Sequence, residues 1–192
     1  MAKKYEFKPD KPRLGFFSKL FLTQKQRKTL FKWLLYALVL LGLSVAQDVL
    51  LCRVRIFGAT TELVPCGIIL ICLAEGLESG SVFALIASSL YLFSGTAAGY
   101  YSIPFITVLA VAVTFFRQAY LRKGFFAAMI CTVFAVTVYE MLVFLVGAFL
   151  GITTLSRFGG FLLTALMTNV FAPALYPLVR AVSAIGGQEW KE

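Results

Sequence analysis

The hydrophobic residues of this chain fall into long continuous runs that are separated by short polar segments. Each run is close to the roughly 20 residues that a helix needs to cross about 30 Å of hydrocarbon. Strands of a membrane barrel would instead alternate apolar and polar residues over about 10 positions. The runs predict six membrane-spanning helices, at about 32–51, 57–74, 81–98, 102–119, 124–149 and 159–182.

One of these runs carries an interruption. Pro65 and Cys66 interrupt the second run. Because proline is tolerated only in the first turn of a helix, the second helix is expected to begin near residue 63 and to be short.

The composition excludes an ordinary soluble domain. The chain has 192 residues, of which 60% are hydrophobic and 14% are charged, and its mean hydropathy is +0.87. Soluble domains carry about 25% charged residues. We therefore predict an all-α polytopic membrane protein with one six-helix transmembrane domain at 32–184, a basic tail at 1–31 and a short C-terminal end at 185–192.

The basic residues indicate how the helices are oriented. Residues 1–32 contain ten Lys or Arg and two acidic residues. If the N-terminus is cytoplasmic, the cytoplasmic segments hold fifteen basic residues and the outer loops hold three. This distribution follows the positive-inside rule, so both termini are predicted to be cytoplasmic. A cleaved signal peptide is not expected, because the basic region is long and five further runs follow.

The tail mixes basic and apolar residues. Residues 14–33 are predicted to form an interfacial amphipathic helix that contacts anionic lipid headgroups, with an unstructured basic leader as the alternative. Nucleic-acid binding is not expected, because the rest of the chain lies in lipid.

No reactive constellation is visible in the sequence. The chain has no histidine, and Cys52, Cys66, Cys72 and Cys131 form no CxxC pair. It has no Walker loop, nucleophile elbow or HExxH motif. We therefore predict that the protein is not an enzyme and uses no cofactor or metal. The cysteines are interpreted as small apolar residues of the membrane domain.

Four polar residues lie in or beside the predicted spans, at Asp48, Glu62, Glu140 and Asn169. A charge in the hydrocarbon region costs at least about 2.5 kcal/mol, so these side chains are expected to face the bundle interior. Asp48 and Glu140 are each predicted to lie roughly 24 Å from the cytoplasmic surface. One interpretation is structural, with Asp48 paired to Arg53 and Glu140 protonated. The other is a polar cluster that binds a partner helix or a small ligand.

Small residues four positions apart are candidates for close helix packing. Most such pairs are expected to pack inside the bundle, and one face is a candidate for contact with a partner protein. The pairs are Gly42 with Ala46, Ala84 with Ser88, Gly95 with Gly99, and Gly147 with Gly151.

A family resemblance rests on several short patterns. Gly58 precedes the turn Thr61-Glu62-Leu63, a second turn occupies 75–80, and Gly99-Tyr100 follows the third run. The spacing of Asn169, Ala172 and Tyr176 forms an N-x-x-A-x-x-x-Y pattern near the end. With its size and predicted span count, the chain resembles the rod shape-determining MreD family over about 33–180. It departs from that family at Thr61-Glu62, where Pro-Asp is usual, at Tyr91, where aspartate is frequent, and in its long basic tail.

The resemblance implies a non-enzymatic scaffold in the bacterial cytoplasmic (inner) membrane. Members of that family bind the single-span scaffold protein MreC. Together with MreB, RodA and a class B penicillin-binding protein, they guide lateral peptidoglycan synthesis. Their helices are similar in arrangement to the substrate-binding subunits of energy-coupling-factor transporters, so a vitamin-binding transporter subunit is the alternative function. Asp48 is expected to help present the partner-binding surface. The sequence does not decide whether the chain forms a homodimer.

Overall fold

The computed structural model describes residues 24–51, 59–121 and 124–185, and most of these residues are helical. A π-helical turn, Ala46–Leu50, continues the first helix, and a 3-10 turn, Leu155–Arg157, leads into the last. The helices are α1 Gln24–Val45, α2 Leu63–Glu75, α3 Leu77–Phe93, α4 Ser102–Tyr120, α5 Phe125–Phe149 and α6 Phe158–Ile185.

The helices follow the predicted apolar runs, with two differences at their ends. Helix α1 begins at Gln24, so the predicted end of the tail at residue 31 lies inside a helix. Helix α3 begins and ends several residues earlier than predicted. Helix α2 begins at Leu63, as predicted, and Pro65 lies in its first turn. The first half of the predicted interfacial helix at 14–33, residues 14–23, lies outside the described residues, and the second half lies in α1.

Four of the six helices are long and apolar enough to cross a membrane, namely α1, α4, α5 and α6. Helix α2 has 13 residues and α3 has 17. At 1.5 Å per residue, α2 is about 20 Å long, which is shorter than the hydrocarbon layer. The protein is therefore an all-α membrane protein in which the prediction of six full spans is not confirmed.

Successive helices run in opposite directions. The side-chain Oε1 of Gln47, just after α1, accepts a hydrogen bond from the backbone N–H of Val64 at the start of α2. At the other end of the same pair, Tyr36 of α1 donates to Glu75 at the end of α2. We call the end of the bundle that contains Tyr36 and Glu75 the terminal end, because α1 begins there and α6 ends there. The opposite end is the loop end.

Helix α2 forms the centre of the bundle. All of its residues from Leu63 to Leu73 are buried, and the helix has no charged side chain between these residues. A helix that is apolar all round belongs in the interior. Gly80 of α3 packs so closely on Cys72 that an added Cβ would lie 2.8 Å from the Cys72 backbone oxygen. Gly76, with φ of +88°, forms the tight turn between α2 and α3.

The structure corrects part of the predicted helix packing. Gly95 and Gly99 lie in the connection between α3 and α4, with φ of +78° and +155°. Gly151 follows α5 with φ of +70°. These three glycines serve turns, which need a left-handed backbone, and their assignment to packing faces was wrong. Gly147 does lie in a close contact, because an added Cβ there would be 2.9 Å from Thr153 Oγ1.

Helix α1 covers the bundle with one face and leaves the other exposed. Its buried face contains Tyr36, Leu40 and Leu43. Gly42, from the predicted pair with Ala46, lies on the exposed side, and a Cβ added there would meet nothing within 4 Å. We define the outer stripe of α1 as the apolar side chains of α1 and of the π-helical turn after it that are more than half exposed around Gly42, namely Leu30, Phe31, Leu34, Leu38, Leu41, Val45 and Val49.

Candidate functional site

Two of the four predicted polar residues meet at one cavity. Glu62 and Glu140 both line a cavity of about 770 Å³ at the loop end. Its walls come from the residues before α2, the α3–α4 connection, α5, the α5–α6 connection and the first turns of α6. Ligand pockets in proteins have volumes of roughly 300–1,000 Å³, so the cavity is large enough for a small organic molecule.

Glu62 is held by contacts from two other helices. It is the last residue before α2, and its backbone N–H donates to Thr168 Oγ1 of α6 at 3.0 Å. The hydroxyl of Tyr91 in α3 donates to Glu62 Oε2 at 3.4 Å. These bonds fix the start of α2 against α3 and α6, and they place one carboxylate at the cavity wall.

Glu140 contributes an acceptor that the protein does not satisfy. Its side chain is 1% exposed, and its Oε1 has no hydrogen-bond partner in the part of the chain that the structure describes. Thr153 Oγ1, in the wall of the same cavity, is also without a partner there. A buried polar atom without a partner costs about 1–3 kcal/mol, and a charged one costs more. Both atoms belong to residues that line the cavity, and a molecule bound there would supply the hydrogen bonds that they lack.

Arg157 is the basic residue among the described residues that line this cavity. It ends the 3-10 turn before α6, and its side chain is exposed. The buried Glu140 and the half-buried Glu62 are therefore both less exposed than the Arg157 guanidinium. Tyr101 and Phe161 add aromatic surface to the walls.

The other two predicted residues do not line the cavity. Asp48 is half-buried in the π-helical turn that follows α1. Asn169 donates from Nδ2 to Thr137 Oγ1 at 3.3 Å and so links α6 to α5. The predicted ion pair of Asp48 concerns Arg53, which lies outside the described residues.

A buried ion pair at the terminal end was not found by sequence reasoning. Lys32 Nζ lies 2.5 Å from Glu75 Oε2, and both side chains are buried. The Tyr36 hydroxyl donates to Glu75 Oε1 at 2.6 Å. The sequence predicts Lys32 at the start of the first span and Glu75 in the turn at 75–80. The available signal was the spacing of Lys32 and Tyr36, which puts both side chains on one face of α1.

Arg117 also differs from its predicted place. It is one of the fifteen basic residues assigned to the cytoplasmic segments, but it is buried, and its Nη1 donates to the backbone oxygen of Leu73 at 2.8 Å. Together with Arg180 it lines a smaller cavity of about 260 Å³ at the terminal end. The two cavities therefore differ in charge, since the loop-end cavity is acidic and the terminal-end cavity is basic.

Comparisons with known proteins return no match, neither among protein-family models nor among curated proteins nor among solved structures. The resemblance to the MreD family and the similarity to transporter subunits therefore stay predictions from the residues. The function is argued below from the sequence patterns and the geometry.

Proposed function

We propose that the protein is a non-enzymatic membrane scaffold of the bacterial cell-elongation (rod) complex, which binds the transmembrane helix of an MreC-type protein. The sequence patterns between about 33 and 180 support the family. The observation that carries the binding role is the outer stripe of α1, which is a long apolar helix face with a glycine at its middle.

Gly42 is the feature of the outer stripe that favours contact with another helix over contact with lipid. Lipid tails are as apolar as leucine, so apolar surface by itself does not draw two helices together in a membrane. A small residue allows the two backbones to approach closely and to gain van der Waals contact. Gly42 provides such a point, and leucine or valine side chains of the stripe flank it on both sides.

The proposed location is the bacterial cytoplasmic membrane, with both termini in the cytoplasm. The excess of basic residues in the predicted cytoplasmic segments supports this orientation. The first and last described helices also begin and end at the same end of the bundle. In this orientation the terminal end faces the cytoplasm, where MreB would act, and the basic tail contacts anionic headgroups. RodA and a class B penicillin-binding protein would join from within the membrane.

Replacing Gly42 with leucine tests the binding role. The variant is expected to lose most of the MreC-type partner, because the added side chain holds the partner helix away from α1. The measurement is recovery of the partner with tagged protein, extracted from native membranes in mild detergent and quantified by mass spectrometry. Gly159→Leu is the matched control, since Gly159 is also an exposed helical glycine with nothing within 4 Å of an added Cβ.

Two outcomes would contradict the proposal. Equal recovery of the MreC-type protein with Gly42→Leu and the control would remove the outer stripe as its binding face. Recovery of ABC-type ATPases with a coupling membrane subunit, and no MreC-type protein, would assign the chain to a transporter.

A substrate-binding subunit of an energy-coupling-factor-type vitamin transporter is the second candidate function. The loop-end cavity is the observation that favours it, because a scaffold needs no cavity of about 770 Å³ lined by two carboxyl groups. In the proposed orientation this cavity lies toward the outside of the cell, where such a subunit would meet its substrate.

A further inference from the structure

We infer that the loop-end cavity is a binding site for a small organic cation, which carries a protonated amine on an apolar or aromatic body. The inference stands on the cavity alone and does not depend on the scaffold proposal. A scaffold with this site would respond to a small molecule, and a transporter subunit with this site would carry one.

The two acidic side chains in the cavity wall favour a cation as the ligand. Glu62 and Glu140 supply two carboxyl groups to one cavity. Glu140 lines this cavity, and its Oε1 is buried without a hydrogen-bond partner in the described chain, so an ammonium group bound there would give this acceptor the donor that it lacks. Hydrogen bonds between ionised groups are shorter and roughly twice as strong as neutral ones. Thr153, in the wall of the same cavity, carries a second buried oxygen without a partner among the described residues.

The walls favour an organic cation over a metal ion. The structure contains, among its described residues, no group of three or more acidic, histidine or cysteine side chains that could hold a metal. A cavity of about 770 Å³ is also far larger than a bare ion requires. Tyr101 and Phe161 offer aromatic faces, and rings of this kind attract organic cations as well as apolar groups.

The charge of Arg157 is expected to affect ligand binding in the opposite direction to the two carboxyl groups. Its exposed guanidinium lies at the edge of the cavity and repels a cation that approaches the carboxyl groups. An anionic ligand would depend on Arg157 for attraction. Loss of this charge should therefore strengthen the binding of a cation and weaken that of an anion, which separates the two ligand classes in one variant.

The test measures the binding of benzylammonium to the purified full-length chain in detergent by saturation-transfer NMR titration. Benzyl alcohol is the matched uncharged probe, because it has nearly the same shape and partitions into micelles in a similar way. Benzylammonium is expected to bind the protein at least about tenfold more tightly than benzyl alcohol does.

Three variants then locate the site. Glu140→Gln should weaken benzylammonium binding by about tenfold or more, and Glu78→Gln should leave it unchanged. Glu78 is the control because it is an exposed carboxyl group in the first turn of α3, at the terminal end. Arg157→Gln should strengthen binding, and since this residue is exposed, the variant tests the site even if Glu140→Gln fails to fold.

The inference is overturned if benzylammonium and benzyl alcohol bind equally or neither binds. It is also overturned if a folded Glu140→Gln variant binds as the unmodified protein does, or if Arg157→Gln weakens binding. None of these results bears on recovery of an MreC-type partner, so the two proposals fail separately.

Discussion

At the scale of single residues, the buried carboxyl groups of Glu75 and Glu140 differ in how the protein satisfies them. Lys32 and Glu75 neutralise each other, and Tyr36 satisfies the remaining carboxylate oxygen of Glu75. Glu140 is as deeply buried, but its Oε1 lacks a hydrogen-bond partner in the described chain. The first arrangement is typical of a structural ion pair, and the second is typical of a site that is completed by another molecule.

Lys32→Met is expected to destabilise the protein by about 3–5 kcal/mol, because it leaves the Glu75 carboxylate buried without its cation. The measurement is the unfolding free energy in a denaturant titration in mixed micelles. Lys28→Met, on an exposed part of the same helix, is the control and should change little.

The double variant Lys32→Met with Glu75→Leu separates the ion pair from the packing around it. Replacing both partners of a buried pair by apolar residues is often neutral, so most of the lost stability should return. If Lys32→Met alone leaves the unfolding free energy unchanged, the pair does not contribute as the structure implies.

The two acidic residues of the loop-end cavity could be predicted from the sequence, but the residues around them could not. Glu62 and Glu140 stand out because they interrupt or flank apolar runs. Their common cavity depends on the packing of α2 against α5, and no local pattern encodes that contact. Gln47, which caps the start of α2, was missed because a single amide near the end of a span has no distinguishing spacing.

At the scale of helices, the apolar runs predicted the number and order of the elements. The long helices α4 and α5 agree with prediction to within one residue at each end, because polar or glycine residues bound them clearly. The start of α1 was missed because its first turns are basic, and hydropathy does not recognise a helix that continues beyond the apolar region.

The small residues show where sequence spacing fails. A four-residue spacing of glycines predicts a packing face only if both residues are helical. Gly95 and Gly99 lie in a turn, while the close approach between α2 and α3 uses Gly80 against Cys72. A glycine is needed where α3 packs against α2, and this contact between helices cannot be read from the spacing of glycines along the chain.

At the scale of the whole molecule, the two ends of the bundle differ in chemistry. The terminal end contains the Lys32–Glu75 pair and a cavity lined by two arginines. The loop end contains the acidic cavity. This asymmetry is consistent with the proposed orientation, in which the basic end meets the anionic inner leaflet.

Cysteine labelling tests that orientation. In a variant whose native cysteines are replaced, Tyr100→Cys at the loop end should react with a membrane-impermeant maleimide added to intact spheroplasts. Arg27→Cys at the terminal end should react only after the membrane is opened. Both positions are exposed in the structure, so access to the side chain is not the limiting factor. Labelling of Arg27→Cys in intact spheroplasts would reverse the proposed orientation.

Photo-crosslinking in living cells tests the scaffold role most directly. A photoreactive amino acid is placed at Leu41 in the outer stripe of α1, and at Leu145 of α5 as a control with similar exposure, 66% against 63%. The account predicts that ultraviolet light joins an MreC-type single-span protein to the Leu41 variant and not to the Leu145 variant. Crosslinks to lipid alone, or the same partner from both positions, would contradict a partner helix on the outer stripe.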